Sequence, residues 1–183
     1  MITMNRVLAN LKSDFSNVFL NNFITHIPCW TIRKMFFKLF GMTIGDHSRI
    51  LIGTRVLAPS RITIGKRSYI NEYCVLDGRG GLTIGDDVNI SMYTIVLSAG
   101  HSKSSSNFAY RKGAVSIEDH VWIGSRAIVL DRTTLKRASI LSAGSVFKGV
   151  ADEDSVYSGV PAEKIADRGL QGEYHNIWKP FFR

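Results

Sequence analysis

The chain has 183 residues, of which 45% are hydrophobic, and a formal net charge of +8, values that predict one domain with a continuous core. The charge fits ordinary solubility or an anionic partner, such as a phosphate-bearing cofactor or an acidic membrane surface, whereas scattered basic residues without a binding motif argue against nucleic acid. The only cysteines are Cys29 and Cys74, so we expect no disulfide framework. No apolar run of about 20 residues is recognisable, so we expect no membrane span. Because no signal peptide is recognisable either, we expect a reducing cytoplasm as the setting.

Residues 1–41 predict a helical cap. Apolar residues recur at roughly helical spacing over residues 5–23, and Pro28 precedes a second candidate helix over residues 30–40, which is rich in aromatic and basic residues. We expect these helices to cover the open end of the repeat that follows, since its core and strand edges need a cover. The alternative is that residues 28–40 form a basic amphipathic helix that binds an anionic membrane surface.

A six-residue repeat begins at Thr43. Aliphatic residues recur at every sixth position in three rows: Ile44, Ile50, Val56 and Ile62; Ile64, Ile70, Leu76 and Leu82; Ile84, Ile90 and Val96. The tripeptide Thr-Ile-Gly recurs at positions 43, 63 and 83, so each unit is two residues longer than three hexads, and turn residues near positions 59–60 and 79–80 account for the excess. A period of six is neither that of a helix nor that of one long strand. It indicates very short strands separated by turns, which is typical of a β-helix.

A polar and basic segment over residues 98–114 interrupts the repeat and contains His101. Loops of this length inside a compact domain are usually functional or disordered. The repeat then resumes with Ile117, Ile123, Val129, Leu135, Leu141 and Phe147. The sequence therefore predicts an all-β solenoid domain over residues 42–166. A tail at 167–183 follows, and we expect its aromatic residues to pack on the scaffold or on a neighbouring subunit: Trp178, Phe181 and Phe182.

These features resemble the hexapeptide-repeat acyltransferases, in particular the sugar and polysaccharide O-acetyltransferases of the maltose and galactoside type. The resemblance covers about residues 43–166 and rests on the hexads, the loop histidine and three motifs: Val-Trp-Ile-Gly-Ser at 121–125, Ser-Ala-Gly-Ser at 142–145 and Ser-Gly-Val-Pro-Ala at 158–162. It implies a left-handed parallel β-helix, acetyl-CoA as cosubstrate, no metal, and a homotrimer with active sites between neighbouring subunits. One hexad departs from the family pattern, because residues 131–136 read Asp-Arg-Thr-Thr-Leu-Lys where Pro-Gly-Val-Thr-Ile-Gly is usual.

The resemblance identifies His101 as the general base. Acyl transfer from a thioester to a hydroxyl needs a group that accepts the acceptor's proton, and histidine can do so near neutral pH. Asn71 and Asp77 are expected to hydrogen-bond the sugar or to orient the histidine, and Glu118 is expected to act at the substrate site by orienting His101. The expected CoA contacts are small residues that leave room for the pantetheine arm, an aromatic wall and two lysines for the phosphates: Trp122, Gly124, Ser125, Ala143, Gly144, Lys148 and Lys164.

The sequence thus predicts an acetyl-CoA-dependent O-acetyltransferase that acts on a sugar of the capsule, exopolysaccharide or O-antigen type. It would work in the cytoplasm, with contact to the inner face of the membrane through residues 28–40 as an open alternative. Three other functions stay open: N-acetylation of an amino sugar, a non-catalytic hexapeptide scaffold, and a metal enzyme of the γ-carbonic anhydrase type. The last needs three converging histidines, and only His101 and His120 lie near the predicted site in the sequence.

Overall fold

A computed structural model of the chain describes residues 4–177; the side chains of residues 4–10, 12 and 13 are left aside. Two helices come first. Helix α1 spans Met4–Asn22 and α2 spans Trp30–Leu39, with a short 3₁₀ turn at Ile24–His26 between them. The expectation for the aromatic residues of the tail concerns residues outside the described range: Trp178, Phe181 and Phe182.

The helices are followed by six coils of very short strands. The first three coils contain β1 (Thr43–Ile44), β2 (Arg49–Ile50) and β3 (Arg55–Leu57), then β4 (Ile62–Ile64), β5 (Tyr69–Ile70) and β6 (Val75–Asp77), then β7 (Leu82–Ile84), β8 (Asn89–Ile90) and β9 (Ile95–Val96). A hairpin of β10 (Ala99–His101) and β11 (Tyr110–Lys112) interrupts the series. The last three coils contain β12 (Val115–Ile117), β13 (Trp122–Ile123) and β14 (Ile128–Val129), then β15 (Thr134–Leu135), β16 (Ile140–Leu141) and β17 (Val146–Phe147), then β18 (Val150–Ala151) and β19 (Ser155–Gly159), which pairs with the antiparallel strand β20 (Ala162–Asp167).

Equivalent strands of successive coils stack in parallel and form three sheets. The first sheet has the order β1-β4-β7-β12-β15-β18, the second β2-β5-β8-β13-β16-β19-β20, and the third β17-β14-β9-β6-β3. The residues at every sixth position point into one core, and among them Ile64, Ile70 and Leu76 are each 1% exposed or less. Burial of such a continuous aliphatic row is the main driving force for this fold. The prediction of an all-β parallel solenoid is confirmed.

Three rows of turns connect the sheets. We call the turns from the first to the second sheet the first corner, those from the second to the third sheet the second corner, and those from the third back to the first sheet the third corner. Many turn residues have positive φ and stack on one another: His47, Arg67, Asp87 and His120 at the first corner, Gly53, Tyr73, Tyr93, Arg126 and Gly144 at the second, and Ala58, Gly81, Arg132 and Gly149 at the third. Some hexad glycines serve a different purpose, close packing of coils, since a Cβ on Gly124 would lie 2.4 Å from Ala143 N.

The third corner collects the insertions of the solenoid. Thr43 pairs with Thr63, and Thr63 with Thr83, so the longer spacing of the early coils is absorbed at this corner, where Pro59–Arg61 forms a short 3₁₀ turn. The hairpin leaves from the same corner, and its neck is closed by a hydrogen bond from Gly113 N to Ser98 O of 2.9 Å. The predicted position of the extra turn residues is confirmed, and the segment expected to be a loop contains an ordered antiparallel ladder.

The helices cover the open end of the first coil. Leu20, Ile24 and Phe37 are buried in the same cluster as the solenoid core. Asn21 pairs with the backbone of Val56 at the edge of β3. Its Nδ2 donates to Val56 O (2.8 Å) and its Oδ1 accepts from Val56 N (2.7 Å). Such pairing supplies partners to backbone groups that would otherwise be left open at the first coil. The predicted helical cap is therefore confirmed.

The C-terminal tail, as far as residue 177, returns along the first corner. Arg168 donates to His120 O (2.7 Å) and Ala138 O (3.1 Å), and Asn176 N donates to Asp87 Oδ1 (2.9 Å). Of the two expectations for the tail, packing on its own scaffold is the one observed for residues 168–176. Within residues 4–177, neither helix combines the length and the apolarity that a bilayer-spanning segment requires.

Candidate active site

An open groove of about 410 Å³ lies on the second sheet beside the second corner. It brings together four of the predicted cofactor residues, Trp122, Gly124, Ser125 and Ala143. Gly144 follows them in the turn, with positive φ and open space where a Cβ would be. The other lining residues were not identified from the sequence, although the parallel register would have indicated them: Ser91, Ile140, Leu141, Ser142 and Val156.

The groove is mainly apolar, with the hydroxyl groups of Ser91, Ser125 and Ser142 in its lining. Trp122 forms one wall, is about half exposed, and donates its indole N–H to Ser91 Oγ at 3.2 Å. The missing side chain at Gly124 allows the next coil, at Ala143, to approach closely. A site of this shape fits a thin, flexible chain with amide groups better than a compact ligand, because small residues expose backbone along its length.

Neither of the two predicted lysines lines this groove, although Lys164 is on β20, which pairs with the groove-lining strand β19. Lys148 is at the third corner, where its Nζ donates to Asp131 Oδ1 at 2.9 Å. Lys164 is on β20 and pairs with Asp167 at 2.7 Å; the hydrogen bond to that carboxylate raises the pKa of Lys164. Neither residue therefore meets the groove of its own chain.

His101 is the last residue of β10 and is exposed on the hairpin. Its Nδ1 is 2.8 Å from Phe108 O, its ring stacks on the Phe108 ring with centroids 3.9 Å apart, and Tyr110 packs edge-on at 5.6 Å. A carbonyl oxygen can only accept, so Nδ1 carries the proton in this hydrogen bond. Consequently Nε2 of the neutral ring has its lone pair free for an incoming proton. The supporting role of Phe108 was not predicted from the sequence.

Asp77, which was expected to contact the acceptor, is enclosed by protein groups and not open to a ligand in this structure. Its side chain is 0% exposed, and its two oxygens accept hydrogen bonds from Arg79 N, Nε and NH2 and from Ser98 N, at 2.9–3.2 Å. Because all of these donors belong to the third corner, the carboxylate is structural there. It fixes Ser98, the residue that precedes the hairpin.

Asn71 and Glu118 are also separated from His101 within one chain. Asn71 lies at the second corner, where its Nδ2 donates to Ile90 O at 2.8 Å. Glu118 lies at the first corner and accepts from Arg137 N at 2.9 Å. The expectation that Glu118 orients His101 is wrong for a single chain, since the hairpin leaves from another corner and Phe108 supplies the orienting carbonyl.

The hairpin and the groove lie on opposite sides of the solenoid. The hairpin connects β9 of the third sheet to β12 of the first sheet, whereas the groove lies on the second sheet, the face opposite that corner. Within the described residues, the ring contacts and the side-chain hydrogen bond of His101 are all with its own hairpin. The histidine of one chain therefore cannot serve the groove of the same chain without passing around the core.

The histidines are also dispersed. Among residues 4–177, no group of three or more His, Cys, Asp or Glu side chains is placed to hold a metal ion. His101 is on the hairpin at the third corner, whereas His120 is buried at the first corner, packed against the Tyr174 ring at 5.0 Å.

The chain is similar in sequence and in fold to known enzymes. The chain is 26% identical to a dTDP-4-amino-4,6-dideoxy-D-glucose acyltransferase of Escherichia coli, over 81% of this chain and 92% of the relative. It is 25% identical to a galactoside O-acetyltransferase of the same species, over 74% of this chain and 68% of that protein. A solved hexapeptide-repeat acetyltransferase of Vibrio cholerae, complexed with acetyl-CoA, has the same fold with a TM-score of 0.79 and 23% identity, over 92% of this chain and 91% of that one. No family model matches the chain.

The relatives and structural neighbours are hexapeptide-repeat acetyltransferases. Other curated relatives with this kind of name belong to colanic acid and lipopolysaccharide biosynthesis. The resemblance drawn from the hexads is thus confirmed, and the names of the relatives support an acyltransferase activity. Two of these relatives name a sugar-derived acceptor, a nucleotide-linked amino sugar in one and a galactoside in the other.

Proposed function

We propose that this chain transfers an acetyl group from acetyl-CoA to a sugar hydroxyl, with His101 as the general base. The main support is the hydrogen bond between His101 Nδ1 and Phe108 O, which leaves Nε2 exposed and able to accept a proton. The cosubstrate is inferred from the mainly apolar groove on the second sheet and from the neighbouring structure that contains acetyl-CoA.

In the proposed reaction, Nε2 accepts the hydroxyl proton while the acceptor oxygen attacks the thioester carbonyl carbon. The tetrahedral intermediate then expels the CoA thiolate, and the imidazolium returns the proton to that sulfur. Phe108 O stabilises the imidazolium because it accepts from Nδ1 throughout. Trp122, Ser125 and Ala143 would hold the pantetheine arm so that the thioester lies within reach of the histidine, which lowers the entropic part of the barrier.

A complete site needs the hairpin of one copy and the groove of another, because the core separates the two within a chain. We therefore infer a homotrimer, in which a closed ring of copies gives equivalent sites at each interface. In that assembly we expect Lys148, which lies at the same corner as the hairpin, to face the phosphates of a CoA bound to the neighbouring copy. Asn71 and Lys164 stay proposed contacts of acceptor and cofactor.

A second candidate reaction is N-acetylation of an amino sugar. It is favoured by the similarity to an acyltransferase whose named substrate is a nucleotide-linked amino sugar. The same histidine would accept a proton from the attacking nitrogen, so the geometry of the hairpin serves both reactions.

A membrane-associated acceptor is part of the proposal. The outer faces of both cap helices are apolar and exposed, and residues 1–41 contain five basic residues and one acidic residue: Arg6, Lys12, Arg33, Lys34 and Lys38, and Asp14. Arg33 is buried, whereas Lys38 is exposed and Lys34 is half-buried beside these apolar faces. Exposed apolar side chains with lysine neighbours suit the anionic interface of a membrane, where lipid-linked sugars reside.

The test is CoA-thiol release from acetyl-CoA with a panel of hydroxyl sugars and amino sugars, free and nucleotide-linked. We expect turnover with at least one acceptor, and a His101→Ala loss of about 100-fold or more. His26→Ala is the matched control, since His26 is exposed on the cap. CoA should still raise the melting temperature of the His101→Ala protein, because the groove is elsewhere. Near wild-type turnover by His101→Ala would contradict the proposal.

A further inference from the structure

A second buried carboxylate lies at the third corner, beside the base of the hairpin. Asp131 is 6% exposed and follows β14. Its Oδ1 accepts hydrogen bonds from Arg111 NH2 at 3.0 Å and from Lys148 Nζ at 2.9 Å, and Arg132 Nε is 4.0 Å from Oδ2. This cluster joins three parts of the chain that are distant in sequence, namely the hairpin, the fourth coil and the fifth coil.

Asp131 is held as a carboxylate. Burial raises the pKa of Asp131. The hydrogen bond from Lys148 and the positive charges of Lys148, Arg111 and Arg132 together lower this pKa by more than burial raises it, so the pKa lies below its ordinary value. The attachment is asymmetric. Oδ1 receives both cationic donors, while Oδ2 and Arg111 Nε are buried and have no hydrogen-bond partner among the residues that the structure describes. Removal of the charge on Asp131 would therefore leave two cations without their shared anion.

Arg111 is next to the histidine in the hairpin ladder. The register pairs Gly100 with Arg111 and His101 with Tyr110, so a movement of the Arg111 backbone is transmitted directly to His101. Within the described part of the chain, the hydrogen bond between Arg111 and Asp131 is the one side-chain hydrogen bond that joins residues 99–112 to the solenoid. The other attachments of the hairpin, at Ser98 and Gly113, lie at its neck.

We propose that Asp131 is a positioning residue that clamps the His101 hairpin through Arg111. The clamp sets the direction in which the hairpin projects from the third corner, and thereby the place of the histidine relative to a bound acyl donor. The inference rests on the proposed function in assigning the reaction to His101. The attachment of the hairpin to Asp131 through Arg111 does not depend on that assignment. Lys148 shares the same carboxylate oxygen, so the fifth coil is part of the clamp.

The first test compares wild type with Asp131→Asn, Arg111→Gln and the double variant, in the full-length protein. We expect each single variant to lower kcat by about 10- to 100-fold, because small misplacements of a catalytic group have effects of this size. The KM for acetyl-CoA should change less than kcat does, since neither Asp131 nor Arg111 lines the groove. The double variant should be no slower than the worse single variant, because the two residues act as one unit.

The second test is amide hydrogen exchange, which reports on local opening. We expect faster exchange at residues 99–112 in Asp131→Asn and Arg111→Gln, with unchanged exchange in the strands of the second sheet.

Asp131→Glu, which keeps the charge, should restore part of kcat. Asp152→Asn is the matched control, since Asp152 is exposed and pairs with Lys136 only at 3.9 Å; it should alter neither readout.

The two readouts separate the possible failures. Faster hairpin exchange with unchanged kcat would overturn the positioning role, and so would unchanged exchange with unchanged kcat. A uniform increase of exchange in every coil would show a general structural role and would also overturn it. If Asp131→Asn does not fold, Arg111→Gln gives the same test from the partly exposed partner. If wild type shows no turnover, the proposed function fails, and exchange in the hairpin alone decides whether the clamp exists.

Discussion

Asp87 illustrates what one buried side chain does in this molecule. It is 1% exposed at the first corner, and it accepts hydrogen bonds from Arg67 NH2 (2.6 Å), from His175 Nδ1 (3.1 Å) and from Asn176 N (2.9 Å). Burial raises its pKa, but these hydrogen bonds, above all that from Arg67, lower the pKa below its ordinary value. The carboxylate of Asp87 thus joins the third coil, at the first corner, to the returning C-terminal tail.

We predict that Asp87→Asn destabilises the protein by roughly 1–3 kcal/mol at pH 7, because Arg67 loses its charged partner. A carboxyl group whose pKa is lowered on folding contributes stability above its unfolded pKa of about 4, and this contribution is lost as the pH falls through the folded pKa. The difference between the variant and wild type should therefore shrink in acid. Urea unfolding at pH 7 and at pH 3 measures both effects.

Asp167→Asn serves as the control for this prediction. Asp167 also pairs with a cation, Lys164, but both side chains are largely exposed, and such pairs contribute little. Equal destabilisation by the two variants, or a difference for Asp87→Asn that persists at pH 3, would contradict the interpretation.

At the scale of elements, the cap helices have two apolar faces each. The inner faces join the core, as Leu20 and Phe37 show. The outer faces expose Leu11, Phe15 and Val18 on α1 and Ile32, Met35 and Leu39 on α2, each at helical spacing. The partly buried Phe19 links the two helices, because its ring lies 5.7 Å from Phe15 of α1 and 5.8 Å from Phe36 of α2. An apolar surface spread over two helices indicates a binding face.

We predict that the wild-type protein sediments with vesicles that contain anionic lipid and binds neutral vesicles more weakly. Phe15→Gln combined with Leu39→Gln should weaken binding by about tenfold or more, since each removes a large apolar side chain from the contact. Ile177→Gln is the matched control, because Ile177 is also exposed but lies in the C-terminal tail. Equal binding of the two variants, or no binding by wild type, would rule out this role of the cap.

At the scale of the whole molecule, the triangular section of the solenoid decides how the site can be assembled. The hairpin with His101 leaves one corner, and the groove with Trp122 lies on the face opposite that corner. Only contact between copies can bring these two surfaces together. The assembly is therefore a requirement of the proposed chemistry, beyond any contribution to stability.

We predict that two inactive variants complement each other when they are unfolded and refolded together. His101→Ala removes the base, and Ala143→Trp fills the groove. When equal amounts of the two variants assemble at random into trimers, about a quarter of all sites would combine an intact hairpin with an intact groove from the neighbouring copy, so activity should return to about that fraction. Each variant refolded alone is the control, and a mixture that stays inactive while wild type refolds actively would contradict the shared site.

The sequence determined the solenoid because its signal is local and repeated. Three Thr-Ile-Gly tripeptides and the rows of aliphatic residues were sufficient to predict parallel coils, the extra turn residues and the interruption at 98–114. The resemblance to the hexapeptide-repeat acyltransferases named Trp122, Gly124, Ser125 and Ala143 as cofactor residues, and the structure places them in one groove. The helical cap followed from helical spacing in front of the repeat.

Only the tertiary structure decided the contacts made by irregular segments. The carbonyl of Phe108 that orients His101, the clamp between Arg111 and Asp131, and the return of the tail to Asp87 join residues whose spacing follows no period. Asp77 was misjudged for the same reason, because a turn aspartate in the sequence gives no sign of whether its carboxylate faces solvent or is enclosed by Arg79 and Ser98. A repeat encodes which coils stack, whereas side-chain orientation at the corners depends on packing between neighbouring turns.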